Sequence, residues 1–442
     1  MLQELGRQII RAFDGDDCLI AIIRENFDFL RIANSTPIQQ TTVENVHIFL
    51  LGIYGNKIGS GYTNSFEREG ILNLVKMVRD NALNSKEYKE IPVFPSELKF
   101  EKKDSKDSGF DTFAKYDFLN NLVKDSKSLE FYGGLSSSKV SIYVATMGGG
   151  EGYNEIYDFF INLKIKGKYL TISTLYGGKI YDKEKIFEKI ESEKTFFKYD
   201  DIPVEVELDG IQDFVLESQA LKELLVYLEW NALSAYSHQK NVSFLKNKIG
   251  QKIFSDLFTF EDNPFIEETV PYYFDFQGVE RKKISIFDKG VYKQVLYDIF
   301  TALTDKVNST GNGSLIPFHS VIFNPYMKPG EKPQKQILEN IERGIYIKSL
   351  HYLNIPNPFE GEITGMSRGG VFYIENGKIK GNLKNFRFMD TFKNIFGSIK
   401  EVSKEIEVIP ETHSYEFRNP HVWVLPKIIK IGKFNILDFT KF

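Results

Sequence analysis

One cysteine, Cys18, serves a chain of 442 residues, so neither an intramolecular disulfide nor a cysteine-built zinc cluster can form. Cys18 sits in the apolar run Cys18–Ile23 and reads as a buried structural thiol rather than a nucleophile. Long apolar runs are missing too, and none approaches the roughly 18 residues that a membrane span needs. No long basic run occurs, and 56 Lys and Arg against 60 Asp and Glu leave a net charge of −4. That balance argues against nucleic acid as a partner. The opening stretch MLQELGRQIIRAF is an amphipathic helix without the basic start and cleavage site of a signal peptide, which predicts a cytoplasmic protein. Histidine is scarce: His47, His238, His319, His351, His413 and His421 contain no i, i+4 pair of the kind that lets one helical face bind zinc. His413 and His421 fall in a segment punctuated by Pro410 and Pro420 and read as hydrogen-bonded residues rather than ligands.

Aromatic residues, by contrast, are abundant, with 38 Phe and 23 Tyr, which suits sheets built with aromatic cross-strand pairs. The length allows two or three domains with large cores. After the first helix, Cys18–Arg24, Asp28–Asn34, Thr41–Gly52 and Lys57–Thr63 read as strands, with a turn at Gly55-Asn56. Phe66–Ala82 reads as a helix laid on that sheet, a two-layer α/β unit. Residues 86–110 turn polar and read as a mobile connector. Thr112–Lys124 and Asp182–Phe197 read as helices, the second capped by Asp182, with strands at Val140–Met147 and Tyr169–Tyr176.

Near the middle, apolar residues recur at helical spacing from Leu216 to Leu233, predicting a mostly buried helix over about Phe214–Tyr236 and a short extended piece at Val242–Leu245. Beyond it the chain is mainly β. Hairpins are expected around Asp288-Lys289-Gly290 and, most clearly, at Asn376-Gly377, which suits a type I′ turn. Strands at Gly344–Leu353 and Val422–Ile431, with short helices near Pro333–Arg343 and Met389–Phe396, complete an antiparallel sandwich or barrel. The class is α+β.

Two motifs fail on context. Gly148-Gly149-Gly150-Glu151-Gly152 lacks the Gly-Lys-Ser/Thr of a phosphate loop and reads as a strand-end loop. Gly365-Met366-Ser367-Arg368-Gly369 matches G-x-S-x-G, but a strand and hairpin follow it where a nucleophile elbow needs a helix.

The blocks VSFLKNKIGQKIFSDLFTFEDNP, FDFQGVERKKISIFDKGVYKQVLYD and NSTGNG carry more than pattern. Together with GMSRGGVFYIENGKI and the closing VLPKIIKIG, they resemble the TldD/PmbA family of metallopeptidase-like proteins, once called modulators of DNA gyrase. The resemblance runs from Asp213 to about Gly432 and continues more weakly over Cys18–Ala82. It implies an N-terminal α/β region, here 1–200, and a β-rich C-terminal domain, here 201–442, assembled as dimers. In the TldD branch the central helix carries His-Glu-x-x-x-His, and a cysteine near the C-terminus is a further ligand. Laid on this helix, the motif falls on Leu228-Glu229-Trp230-Asn231-Ala232-Leu233, keeping the glutamate and replacing both histidines by leucine. The C-terminal cysteine is absent as well.

Zinc needs about three N, S or O donors, and two leucines supply none. The sequence thus resembles the PmbA (TldE) branch, which lacks the metal motif and pairs with a zinc-bearing TldD-type subunit to degrade or trim peptides. No metal or other cofactor is expected in this chain, no catalytic residue is assigned, and Glu229 is expected to be a solvated helix residue. Ser367, Arg368 and Gly369 are the candidates for contact with a peptide in a groove, Arg368 as a clamp for a carboxylate or carbonyl. The expected partner is a TldD-type subunit or a second copy of the chain. Two other readings stay open: a stand-alone peptidase with a dispersed metal site, and a peptide-binding or regulatory protein.

Overall fold

The computed structural model describes residues 1–103, 106–124, 126, 128–411 and 417–439. His413 lies outside them. The first sheet comprises β1 (Asp17–Ala33), β2 (Thr36–Tyr54), β3 (Lys57–Thr63), β4 (Lys99–Lys103), β5 (Glu130–Thr146), β6 (Glu151–Lys166) and β7 (Thr171–Gly178). Its neighbours pair antiparallel except β4, which runs parallel to β6. The helices α1 (Leu2–Ala12), α2 (Arg68–Leu83), α3 (Thr112–Lys124) and α4 (Lys183–Lys194) accompany it.

Strand alternation explains how this sheet is used. Cys18, Ile20, Ile22, Leu30 and Ile32 of β1 pack in the cores formed with those four helices. Ala21 and Ile23 point the other way, into a core shared with Tyr272, Phe276, Phe323 and Val422 from the second half. A strand covered on both faces reads as a continuous apolar run, and Cys18–Ile23 is one. Burial and the charge of Asp17 push the Cys18 thiol up to about 12, which makes it inert, as its setting in the sequence suggests.

The second half opens with β8 (Asp213–Glu217), α5 (Ser218–Leu228), a π-helical turn at Glu229–Leu233 and the short α6 (Ala235–Gln239). There follow β9 (Phe260–Asp262), β10 (Ile284–Asp288), β11 (Val291–Tyr292), α7 (Ile299–Asp305), β12 (Pro325–Met327) and α8 (Gln334–Glu339). Next come β13 (Arg343–Asn354), β14 (Glu362–Glu375), β15 (Lys378–Asn382), β16 (Phe386–Thr391) and α9 (Phe392–Gly397). The chain closes with β17 (Ile399–Val402), β18 (Ile406–Pro410), β19 (Val422–Pro426), β20 (Ile428–Ile431) and β21 (Ile436–Phe439). Six of these strands form a second sheet, ordered β11-β10-β9-β12-β19-β18. The third sheet runs β17-β20-β8-β13-β14-β16-β21, with β15 beside β14. Both sheets are open, so the sandwich expectation holds and the barrel alternative falls away. Helix α5 contacts β13 and β8 on one side and β18 and β19 on the other, within the largest core of the molecule.

Five expectations need correction. The central helix starts at Ser218, because Asp213–Glu217 is a strand paired with β13 and β20, and Val242–Leu245 is turn rather than strand. Cys18–Arg24 and Asp28–Asn34 are one strand, β1, and β6 was not anticipated at all. Val422–Ile431 is two strands in different sheets, which part at Lys427. The polar connector is anchored where it is described: Phe94, Leu98 and Phe110 are buried and β4 joins the first sheet. The Asn376-Gly377 hairpin holds, with φ of 49° and 73° as a type I′ turn requires. Asp182 caps α4 by accepting from the Lys185 N–H at 3.1 Å.

Candidate functional site

Two places gather the residues singled out by the sequence. The first is the end of α5. Leu228 and Leu233 are both 0% exposed and belong to the core between the second and third sheets. Glu229 lies at the start of the π turn and is 7% exposed, so the expected solvated glutamate is corrected to a buried one. Its Oε1 accepts the Ile322 N–H at 2.5 Å, and burial pushes its pKa up to about 8.

Near Glu229 runs a chain of buried polar groups. Lys222 Nζ lies 3.2 Å from Glu411 Oε1, and the Trp423 indole donates to Glu411 Oε2 at 2.7 Å. Burial opposes the charge on Lys222, but Glu411 and Glu223 outweigh it and hold the ammonium above its ordinary range. Burial also works against the Glu411 carboxylate, and Lys222 and His421 reverse that and hold it low. His421, 3.9 Å from Glu411, is pushed down by burial. Among the described residues no group of three or more His, Cys, Asp or Glu side chains is placed to hold a metal ion. The residues at 228 and 233 do not fit zinc, since their apolar side chains offer no lone pair and are packed on all sides.

The second place is a cleft of about 1080 Å³ between the first and third sheets. One wall is the end of β6, the turn after it and Thr171 and Ser173 of β7. The facing wall is residues 368–371 of β14 with residues 382–385. Opposite Lys348 of β13, β14 places two residues, Gly369 and Gly370, and the register slips there, a β-bulge. Their φ of 71° and 121° and the nearness of the Lys348 stem to Gly370 exclude larger residues without strain. On its other edge β14 pairs with β16 as far as Met366 and with β15 only from Phe372. The bulge thus sits in a gap between two ladders.

Of the three groove candidates, Arg368 and Gly369 line the cleft. Ser367 does not: it is 2% exposed, accepts the Phe386 N–H at 2.9 Å and donates to Asn385 at 3.3 Å. Alternation along the strand turns it away from the cleft, where it pins the 385–386 segment to β14. Arg368 Nη1 donates to His351 Nε2 at 2.9 Å. Because arginine only donates, His351 must accept and is neutral, and burial followed by the charges of Arg368 and Lys164 push its pKa down. Lys164 went unnoticed in the sequence. It stands opposite Ser173 in the β6–β7 pairing and lines the same cleft. The doublet Gly369-Gly370 inside a strand is a second signal of the place, beside the Ser-Arg-Gly block.

Residues 210–435, just over half of the chain, match the model of the PmbA/TldA metallopeptidase C-terminal domain. The chain belongs to the PmbA/TldD family. Among PmbA/TldD relatives it is 24% identical to a metalloprotease of Methanocaldococcus jannaschii over 295 residues, 66% of this chain and 56% of that protein. Matches to the curated relatives span about half of those proteins' length or less. The structure is similar to that of TldE from Thermococcus kodakarensis, with a TM-score of 0.85 at 20% identity over 99% of this chain and 100% of that one. It is also similar to a putative modulator of a DNA gyrase from Thermotoga maritima, with a TM-score of 0.80 at 18% identity over 99% and 100%. At such identities the likeness establishes the PmbA/TldD fold. Among the described residues no helix is long and apolar enough to cross a membrane.

Proposed function

We propose that the chain is a PmbA/TldE-type subunit of a two-subunit metallopeptidase that degrades or trims peptides in the cytoplasm, with zinc chemistry supplied by a TldD-type partner. The observation that carries this reading is the pair Leu228 and Leu233, fully buried on either side of Glu229 at the place where the TldD motif would fall. Glu229 on its own has no metal-bound water to deprotonate, and its carboxyl group accepts a backbone N–H instead. What is left for this chain is to hold substrate. The cleft between the first and third sheets suits an extended peptide, since an unpaired strand edge can pair with its main chain.

Co-expression with a TldD-type protein of the same genome tests the proposal. A complex on size-exclusion chromatography is expected, together with higher peptidase activity than the partner shows alone. Elemental analysis is expected to find stoichiometric zinc in the complex and far less in this chain purified alone. No complex and no change in the partner's activity would overturn the reading.

A further inference from the structure

Cations with nothing to neutralise them converge on one corner of the cleft. Arg368 and Lys164 both line it, and among the described residues neither forms an ion pair with a carboxylate. Lys164 pairs with Ser173 across the first sheet, and a Cβ on Gly369, the neighbour of Arg368, would stand 3.3 Å from the Ser173 nitrogen, so the two cations flank the same point of the cleft. The acidic groups on the lining are largely committed. The Asp200 carboxylate accepts the N–H groups of Lys168, Tyr169 and Leu170, and Asp201 pairs with Lys168 at 3.4 Å, leaving Glu205 as the third acid.

The way Arg368 is held matters. A carboxylate partner would orient the guanidinium and cancel its charge, whereas neutral His351 orients it and leaves the charge whole. The Arg368 carbonyl is fixed as well, accepting from Ser349 Oγ at 2.5 Å, and the glycine bulge begins at the next residue. His351 is backed by the ring of Tyr352, 3.8 Å away between centroids, which is 76% exposed and held at a φ of 51°. A non-glycine residue in that conformation costs free energy that the rest of the fold must supply. Beside these cations runs the outer edge of β7. That edge forms no ladder among the described residues, but it is not open: the β14 bulge abuts it, since a Cβ on Gly369 would stand 3.3 Å from the Ser173 nitrogen.

We infer that this corner is an anion subsite formed by Arg368 and Lys164, which takes the free C-terminal carboxylate of an extended peptide lying in the cleft. The inference rests on the reading of the cleft as a peptide groove. It assigns that groove a polarity: the peptide enters with its C-terminus at Arg368, and bound peptides are selected for a free end. A planar carboxylate matches the two-pronged guanidinium, and the lysine adds a point charge that can donate to either oxygen.

The test uses this chain alone, without a partner, so its failure is distinguishable from failure of the subunit proposal. A fluorescein-labelled, unstructured octapeptide of Gly, Ser and Ala is titrated by anisotropy as the free acid and as the C-terminal amide. Amidation is expected to weaken binding by about tenfold. Arg368→Gln and Lys164→Gln are each expected to weaken the acid while leaving the amide unchanged, and the double variant is expected to bind both alike. Arg368 and Lys164 are exposed, so the variants are expected to fold, with the wild-type melting temperature as the check. Equal affinity for acid and amide overturns the inference. So does an acid preference that survives in the double variant, or no binding of either peptide.

Discussion

The end of α5 and the cleft at the β14 bulge are opposites in construction. At the first, acidic, basic and imidazole groups crowd together within the second half, and the fully buried Leu228 and Leu233 pack beside them. At the second, cations face an open space and a neutral histidine holds one of them in place. Polarity alone therefore does not mark the working surface. The sealed site has more titratable groups with displaced pKa values, yet the open one has room for a ligand and charge left over for it.

Substitutions can break this contrast. The largest effect is expected at Leu228. Leu228→Ala opens a cavity in the main core and should cost about 2–5 kcal/mol, read by chemical denaturation. Of the same size is Lys348→Met, beneath the bulge, where Lys348 Nζ lies 2.8 Å from Glu193 and 2.6 Å from Glu217. Burial pushes Glu193 up to about 7 even with the lysine present. Without it two buried carboxylates lose their counter-charge, and about 3–5 kcal/mol should be lost at pH 8. That loss should shrink on acidification as Glu193 takes up its proton, which denaturation at pH 6 and pH 8 would show.

Gly370→Ala should cost about 1–3 kcal/mol, because φ is 121° there and the new methyl would meet the Lys348 stem. The same variant should weaken peptide binding by distorting the bulge. Glu229→Gln should have a smaller and pH-dependent effect. Glu229 keeps its proton up to about pH 8 when folded, but only to the ordinary carboxylate range when unfolded. Its stabilising contribution is therefore complete below about pH 4 and is lost as the pH rises through about 8. The variant should flatten this slope, so that melting temperatures at pH 6 and pH 9 differ less than in the wild type. Smallest of all, Arg368→Gln should leave stability within about 0.5 kcal/mol, as suits an exposed side chain. If Leu228→Ala proved harmless, or Arg368→Gln unfolded the chain, the contrast would collapse.

Local pattern made much of the fold legible. The helices α1, α2, α3 and α4, the Asp182 cap and the Asn376-Gly377 hairpin all rest on short-range signals, and each stands. What was missed depends on partners distant in sequence. Strand β1 was split in two because Glu25 and Asn26 interrupt its apolar pattern. Glu25 is in fact buried, 3.0 Å from His47 Nε2 and accepting the Arg418 N–H at 2.6 Å, a partner 393 residues away. Strand β8 was absorbed into the helix because all five of its residues are buried, which erases the alternation that distinguishes a strand. Glu229 was misplaced for the same reason as Glu25, since nothing near it in sequence announces the Ile322 N–H. Of the groove candidates, Arg368 and Gly369 lie on the cleft lining and Ser367 does not, because contiguous residues of a strand look to opposite sides.

The π turn after α5 has a geometric consequence. In an α-helix, neighbours on one face stand three or four residues apart, and residues five apart diverge. A π turn closes its hydrogen bonds between residues i and i+5, which brings the sixth residue back over the first. Positions 228 and 233 are separated by that interval, and the widened turn between them lets both side chains enter the same core. The backbone there brings two side chains into one core at a spacing that a regular α-helix would not align, and in this chain both are leucine.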